Sequence, residues 1–288
     1  MNQSSPNLSS STVAEYVRVF EPSKGWLSLN FREVWRYREL LQLLVWRDTV
    51  VRYKQSVVGI GWALIRPVAS MVVFSVIFGR LAGLPSDGVP YPIFTYVALL
   101  PWNYFAGCLS GASDSLVSGA HIMNKVYFPR LILPLSKLFA GLVDFGISFI
   151  LLIAMMIWYR HHITVTWGTL CLPVFLLFAM LTALAFGLCL TSFAVKYRDV
   201  THLLPFIVQI WMYISPVAYS ASLVPDRWRK IYALNPMTGV IDGFRWALTG
   251  RAQPDWTAMA ISAAVTLVIL ISGLYYFRQT ERTFVDIV

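Results

Sequence analysis

Charged side chains make up only 13% of these 288 residues, while 57% are hydrophobic. Ordinary soluble domains carry about 25% charge, and a chain this apolar cannot clothe a water-facing surface. That excludes a soluble globular protein. Cysteine is scarce as well: Cys108, Cys171 and Cys189 all lie in apolar runs without metal-like spacing. They read as small core residues, not as a disulfide framework or a metal site. No GxxxxGK(S/T) loop appears, so the chain does not hold ATP by that motif. HExxH, CxxC and nucleophile-elbow motifs are missing, and the adjacent His161 and His162 have no companion ligands. No catalytic constellation and no resident cofactor are expected. The lack of an internal repeat argues against a carrier built from two halves. The first thirty residues are Ser-rich and polar, without an apolar core, so no secretory signal is expected.

What the sequence does have is long apolar runs. Six of them, at residues 62–84, 93–118, 133–159, 169–194, 203–219 and 256–277, approach or exceed the roughly 17 to 25 residues that cross a bilayer as helix. They are continuous and rich in Leu, Ile, Val and Phe, whereas a membrane barrel needs strict alternation over about ten residues. The expected fold is an all-α membrane protein of six transmembrane helices.

Lys and Arg set the orientation. With the N-terminus inside, nine fall on the cytoplasmic side up to Arg66, then Lys125, Arg130, Lys137, Lys196, Arg198, Arg278 and Arg282, sixteen of 23 in all. This bias puts both termini in the cytoplasm. The net charge of +9 then reads as loops held at an anionic leaflet, and no nucleic-acid partner is expected.

Three pieces do not span. Residues 1–30 are read as a flexible cytoplasmic arm and 31–61 as an amphipathic interface segment, ahead of a transmembrane domain at 62–288. Within 33–54, Val34, Tyr37, Leu41 and Leu44 recur at helical steps, flanked by Arg32, Arg36, Arg38, Arg47, Arg52, Lys54, Trp35 and Trp46. That pattern suits a helix lying on the membrane, or one packed on a soluble partner. Residues 220–255 are too polar to span. Pro225–Asp226 and Asn235–Pro236 each mark a helix start, and Gly250 a stop. Two short helices, 226–234 and 236–248, are predicted as re-entrant gate elements between the fifth and sixth spans.

Polar residues inside the spans are the candidate functional groups. Asn103, Gly107, Gly111, Asp114 and Ser118 share one helical face, either a pore wall or a seam of close helix packing. Asp144 sits near the middle of the third span, where a carboxylate needs a partner or a cavity. It reads as a structural ion pair or as an ion-coupling group. Trp102, Tyr104 and Phe105 follow Pro101, and Tyr213 and Tyr219 bracket Pro216. They are read as interfacial aromatics or as stacking surfaces at two kinked helices.

Several strings become recognisable together: LVWRDTVVRYKQSVVGIGWALIRP, FGRLAGLPSDGVPYPIF, LLPWNYF, NKVYFPRLILPLSK, VKYRDVTHLLPF, SPVAYSASLVP, LNPMTGVIDGFRWAL and RTFVDIV. In this order the chain resembles the permease subunit of polysaccharide and polyol-phosphate ABC exporters, the group of O-antigen, capsule and teichoic-acid exporters. The resemblance runs from about Trp35 to the end. It implies a homodimer in a bacterial inner membrane, paired with two separate ATPase subunits that carry ATP-Mg, and a lipid-linked glycan as cargo. It implies an ATPase-coupling role for Asn124, Lys125, Tyr127, Pro129, Arg130, Arg198 and Asp199. It also implies a glycan path lined by Trp102, Tyr104, Phe105, Tyr213, Tyr219 and Asp114. An external gate follows, where Arg227, Arg229 or Arg245 meets phosphate, unless Arg245 pairs with Asp242 instead. The competing readings are an exporter of drugs or small lipids, a membrane-embedded transferase, and an ion-coupled carrier resting on Asp144.

Overall fold

The computed structural model describes residues 31–54, 59, 61–123, 125–159, 166–197, 199–250 and 254–281. These all fall in the unit Phe31–Val288, and the expected arm at 1–30 lies outside the described residues. Ten α-helices follow one another, with no strand among the described residues: α1 Phe31–Arg36, α2 Arg38–Lys54, α3 Gly61–Phe74, α4 Tyr91–Met123, α5 Ile132–Trp158, α6 Leu172–Lys196, α7 Asp199–Ile214, α8 Asp226–Tyr232, α9 Pro236–Thr249 and α10 Trp256–Glu281. Helix α3 continues into a π-helical stretch, Ser75–Leu81.

Among the described residues, four helical segments are long and apolar enough to cross a membrane: Gly61–Leu81, Ile132–Trp158, Trp167–Lys196 and Trp256–Glu281. The other two expected spans differ. Helix α4 is the longest at 33 residues, about 50 Å of helix, yet it carries polar residues such as Asn103 and Asp114 along one face and is not one of those four. Helix α7 has 16 residues and ends at Ile214, so the expected span at 203–219 is shifted towards its start. Pro216 lies beyond the helix end. It stops α7 instead of kinking it, because proline disfavours helix in the residue before it.

The helices meet through small residues and buried hydroxyls, as expected where lipid removes the hydrophobic drive between helices. A Cβ built on Gly187 of α6 would lie 2.9 Å from the Ala112 Cβ of α4, and one on Gly141 of α5 would lie 2.7 Å from Sγ of Cys108. The Thr191 hydroxyl of α6 donates to the Ala112 carbonyl at 2.7 Å, and the hydroxyls of Thr182 and Thr266 pair α6 with α10 at 3.2 Å. The apolar face of α4 fills the centre: Phe105, Leu109, Ala112 and Leu116 are 0% exposed.

The helix expected at 33–54 is two helices, α1 and α2, broken at Tyr37. Its apolar stripe does not face lipid. Val34, Tyr37, Leu41 and Leu44 pack with Leu116, Phe128, Leu133, Leu188 and Phe277, at one end of the bundle. Trp35 and Trp46, 70% and 69% exposed, stand on the open side, where the headgroup region suits them.

Candidate functional site

The end of the bundle that carries α2 is a charged junction. Asp48 of α2 accepts an ion pair from Lys137 of α5 at 2.8 Å and from its neighbour Arg47, also at 2.8 Å. Burial pulls the Asp48 carboxyl upward, but the hydrogen bonds and charges of Lys137 and Arg47 outweigh it and hold the group below the usual carboxylate range. One turn on, Arg52 and Tyr53 both bind the Asp144 carboxylate, and then the Ser148 hydroxyl donates to the Ala63 carbonyl at 3.2 Å. Thus α2 and the start of α3 are pinned along α5 by polar contacts in series. Asp144 has partners, which answers the cost of a carboxylate inside a span.

The loop between α4 and α5 projects from the same end. Lys125, Val126 and Tyr127 are exposed, while Phe128 is 4% exposed and anchors the turn in the α2 cluster. Arg130 folds back and donates to the Glu281 carbonyl at the end of α10, where a cation meets the negative helix end. Asn124 and Arg198 lie outside the described residues. Asp199 opens α7 as its first-turn acid, favourable at the positive helix end.

The expected glycan path requires correction. Trp102, Tyr104 and Phe105 are 2%, 4% and 0% exposed. The Trp102 and Phe105 rings pack edge-on against Trp211, Tyr104 packs against Phe145, and the Tyr104 hydroxyl donates to the Leu138 carbonyl. The helical repeat explains this. Trp102, Phe105, Leu109, Ala112 and Leu116 follow steps of three and four residues on the core face, a stripe already visible in the sequence. Tyr219 is also engaged: its hydroxyl donates to the Ile214 carbonyl and accepts from Tyr232. Tyr213 stays 51% exposed.

The other face of α4 is open. Asn103, Gly107, Ser110, Asp114 and Ser118 are exposed, and nothing lies within 4 Å of a Cβ built on Gly107. Gly111 alone of the expected packing pair meets a neighbour, with Cβ of Lys137 at 3.3 Å. The stripe from Asn103 to Ser118 covers sixteen residues, about 22 Å of helix from first to last.

At the opposite end from the charged junction, α8 and α9 form the compact pair that the Asn-Pro and Gly signals announced. Asn235 caps α9 through the Met237 N–H at 3.1 Å, and Gly250 closes it in the left-handed region at φ 64°. Pro225 occupies the cap of α8, one position before the helix. The Asn235 side chain also accepts from Trp211 Nε1 and donates to Ser215, both at 2.9 Å, which ties α9 to α7. Arg227 lies over the Trp228 ring, and Arg229 pairs with Asp226 at 3.0 Å. Arg245 is 2% exposed, so its expected role at a lipid phosphate requires correction. Its guanidinium sits 3.8 Å from the Phe94 ring centroid and donates to the carbonyls of Tyr219 and Val217 at 3.0 and 3.1 Å. The alternative pairing with Asp242 is present only as a 4.0 Å approach. Arg245 clamps the turn after α7 to α9.

Comparison with known proteins places this arrangement. The family model described as ABC-2 type transporter matches residues 39–249. The chain belongs to that family. It is 28% identical over 258 residues to the O-antigen export system permease protein RfbA of Myxococcus xanthus, covering 88% of this chain and 97% of that protein. A Klebsiella pneumoniae protein of the same name is 23% identical, covering 86% of this chain and 95% of its own length. The polysialic acid transport protein KpsM of Escherichia coli is 21% identical, covering 84% and 93%. The resemblance to polysaccharide-exporter permeases read from the sequence is borne out. This ABC-2 protein is a multi-pass inner-membrane protein, as its family and its four apolar helices indicate.

Proposed function

We propose that the chain is the permease subunit of an ATP-driven exporter that moves a lipid-linked polysaccharide of the O-antigen kind to the outer face of the inner membrane. The supporting observation is the uncovered polar face of α4, Asn103 to Ser118, on a helix long enough to cross a bilayer. Hydrocarbon would charge several kcal/mol for each polar group left without a partner. That face therefore meets a second copy of the chain, a hydrated path, or both. In this reading Asp114 and Tyr213 border the path, and the buried aromatics Trp102, Tyr104 and Phe105 stiffen its wall.

The remaining parts follow the same logic. Six spans (α3 with its π-helical extension, α4, α5, α6, α7 and α10) put both termini in the cytoplasm, and α8 and α9 on the outer side as the gate. Two copies assemble with two ATPase subunits, which bind the ATP-Mg; this chain binds no cofactor. The exposed turn with Lys125 and Tyr127, stiffened by Pro129, and the open side of α1–α2 receive the ATPase. The charged junction from Asp48 to Asp144 passes its movement to α5. This chain is then a path and a lever, not an enzyme. Export of a capsular polymer is the second reading, favoured by the likeness to a polysialic acid transport protein.

Deleting the chain tests the proposal. Lipid-linked polymer should build up inside the cell and vanish from the surface. Unchanged surface polymer would refute it.

A further inference from the structure

A cavity of 270 Å³ opens where α8, α9 and the start of α10 meet. Its exposed rim is formed by Asp87, Ser222, Arg229 and Asp255, and its floor by Thr238, Asp242 and Arg245, with Tyr232 at the side. Most of the polar atoms on the rim are engaged. Asp87 accepts from Ser220 at 2.7 Å, Asp255 accepts from the Ala258 N–H at 3.0 Å, and Arg229 pairs with Asp226. The floor is different. The Asp242 carboxylate accepts no hydrogen bond among the described residues and has only the 4.0 Å approach of Arg245. Arg245 itself is 2% exposed, and its Nε is buried without a hydrogen-bond partner. A buried donor left unmatched is costly, and beside it the Asp242 carboxylate, its side chain 22% exposed, lacks a close donor. Burial pushes the Asp242 carboxyl up to about 6 against the pull of Arg245, as expected for an acceptor short of donors.

We propose that this cavity binds one uncharged sugar ring of the exported glycan. The proposal rests on the glycan-export reading above. A ring hydroxyl both donates and accepts, so one hydroxyl can donate to the Asp242 carboxylate, the acceptor that the protein leaves without a close donor. The hydroxyls of Ser222, Thr238 and Tyr232 already donate to Ser220, to the Tyr232 carbonyl and to Tyr219, and add acceptors around it. Phosphate fits poorly. Asp87, Asp242 and Asp255 face it with three carboxylates, while Arg229 is held by Asp226 and Arg245 by two carbonyls. A metal ion fits no better, since these three carboxylates do not lie together as a group that could hold one. The volume falls just below the roughly 300 Å³ at which drug-sized pockets begin, so it suits one ring and not an oligosaccharide. The cavity would hold the leading sugar beside the gate while the rest of the chain follows.

Saturation-transfer NMR on the full chain in nanodiscs, with methyl glucoside, methyl galactoside and inorganic phosphate as probes, tests this. Magnetisation should reach at least one glycoside, with ~10-fold weaker binding in Asp242→Ala, since one hydrogen bond to a charged carboxylate, about 1.5 kcal/mol, is lost. The rim variant Ser222→Ala, which removes an exposed hydroxyl bonded to Ser220, should weaken binding severalfold, and Lys230→Ala, outside the cavity, should not. No transfer to either glycoside, transfer unchanged in both cavity variants, or displacement of the glycoside by phosphate would each overturn the proposal. A chain that still exports glycan in cells but shows no transfer removes the cavity's role alone and leaves the export reading standing.

Discussion

Helices α7 and α9 adjoin through Asn235, yet they are opposites. Helix α7, DVTHLLPFIVQIWMYI, is almost wholly apolar beyond its first turn, and Leu204 is its one buried residue. Helix α9, PMTGVIDGFRWALT, carries Asp242 and Arg245 and is buried nearly throughout. Hydrophobicity alone would have ranked them the other way. In a membrane the exposed side of a helix can be apolar at no cost, whereas the inner side is chosen for close fit and polar pairing. Gly239 of α9 shows it: a Cβ there would come 2.8 Å from the Ser262 Cβ of α10. So α9 is closely packed within the protein, and α7 is a helix whose outer face is left for lipid or a second copy.

The strongest way to break this contrast is Arg245→Ala. Removing the guanidinium strands two buried carbonyls and the Asp242 carboxylate, a change worth about 3 kcal/mol or more. Folded protein extracted from membranes should fall sharply, and Arg245→Lys should not restore it, because an ammonium cannot reach both carbonyls in one plane. Survival at the parental melting temperature would show that α9 is not clamped.

Next in size is the pin between α2 and α5. Arg52→Ala and Asp144→Ala should each destabilise, and the double variant should recover part of the loss, with a coupling of about 1 kcal/mol. Asp144→Asn should then keep export; if it folds normally but abolishes export, the carboxylate works as an ion-coupling group after all.

A smaller effect is expected from pH at the base of α9. The folded pKa of Asp242 is raised from 3.8 to about 6. Stability from its protonated form is complete below pH 3.8 and lost as pH rises through about 6. Arg245 opposes the shift; Asp87 and Asp255 add to it. The rim also presents Arg229 and Tyr232. Asp242→Asn should therefore melt a few degrees above wild type at pH 7.5 and level with it at pH 4. A variant difference independent of pH would contradict this.

The smallest change belongs to α7. Ile207, 48% exposed, should tolerate Ala within about 0.5 kcal/mol for the single chain, measured by thermal unfolding in detergent. A larger loss would mean that a second copy already covers this face.

How much of this could be read beforehand depends on the kind of signal. Asn235, Pro236 and Gly250 act through local backbone chemistry, so both ends of α9 were legible. The apolar runs located most of the helices for the same reason. What escaped was pairing between distant residues. Nothing local links Arg52 to Asp144, or Arg245 to the carbonyls of Val217 and Tyr219. The aromatic cluster was misjudged for a different reason. Trp102 and Phe105 stand beside Asn103 in sequence but lie on the opposite side of the helix, and only the periodic stripe through Leu109 and Ala112 tells the two faces apart. Likewise, the stripe of α2 was visible, while its target, the protein and not the lipid, was not.

The central claim, that this chain forms the path for an ATP-driven glycan, is tested most directly in inverted membrane vesicles loaded with lipid-linked polymer. With the chain and its ATPase present, adding ATP should move the polymer into the lumen, where an added glycosidase cannot reach it, and vesicles lacking the chain should show no protection. Protection that appears without the chain, or without ATP, would contradict the account.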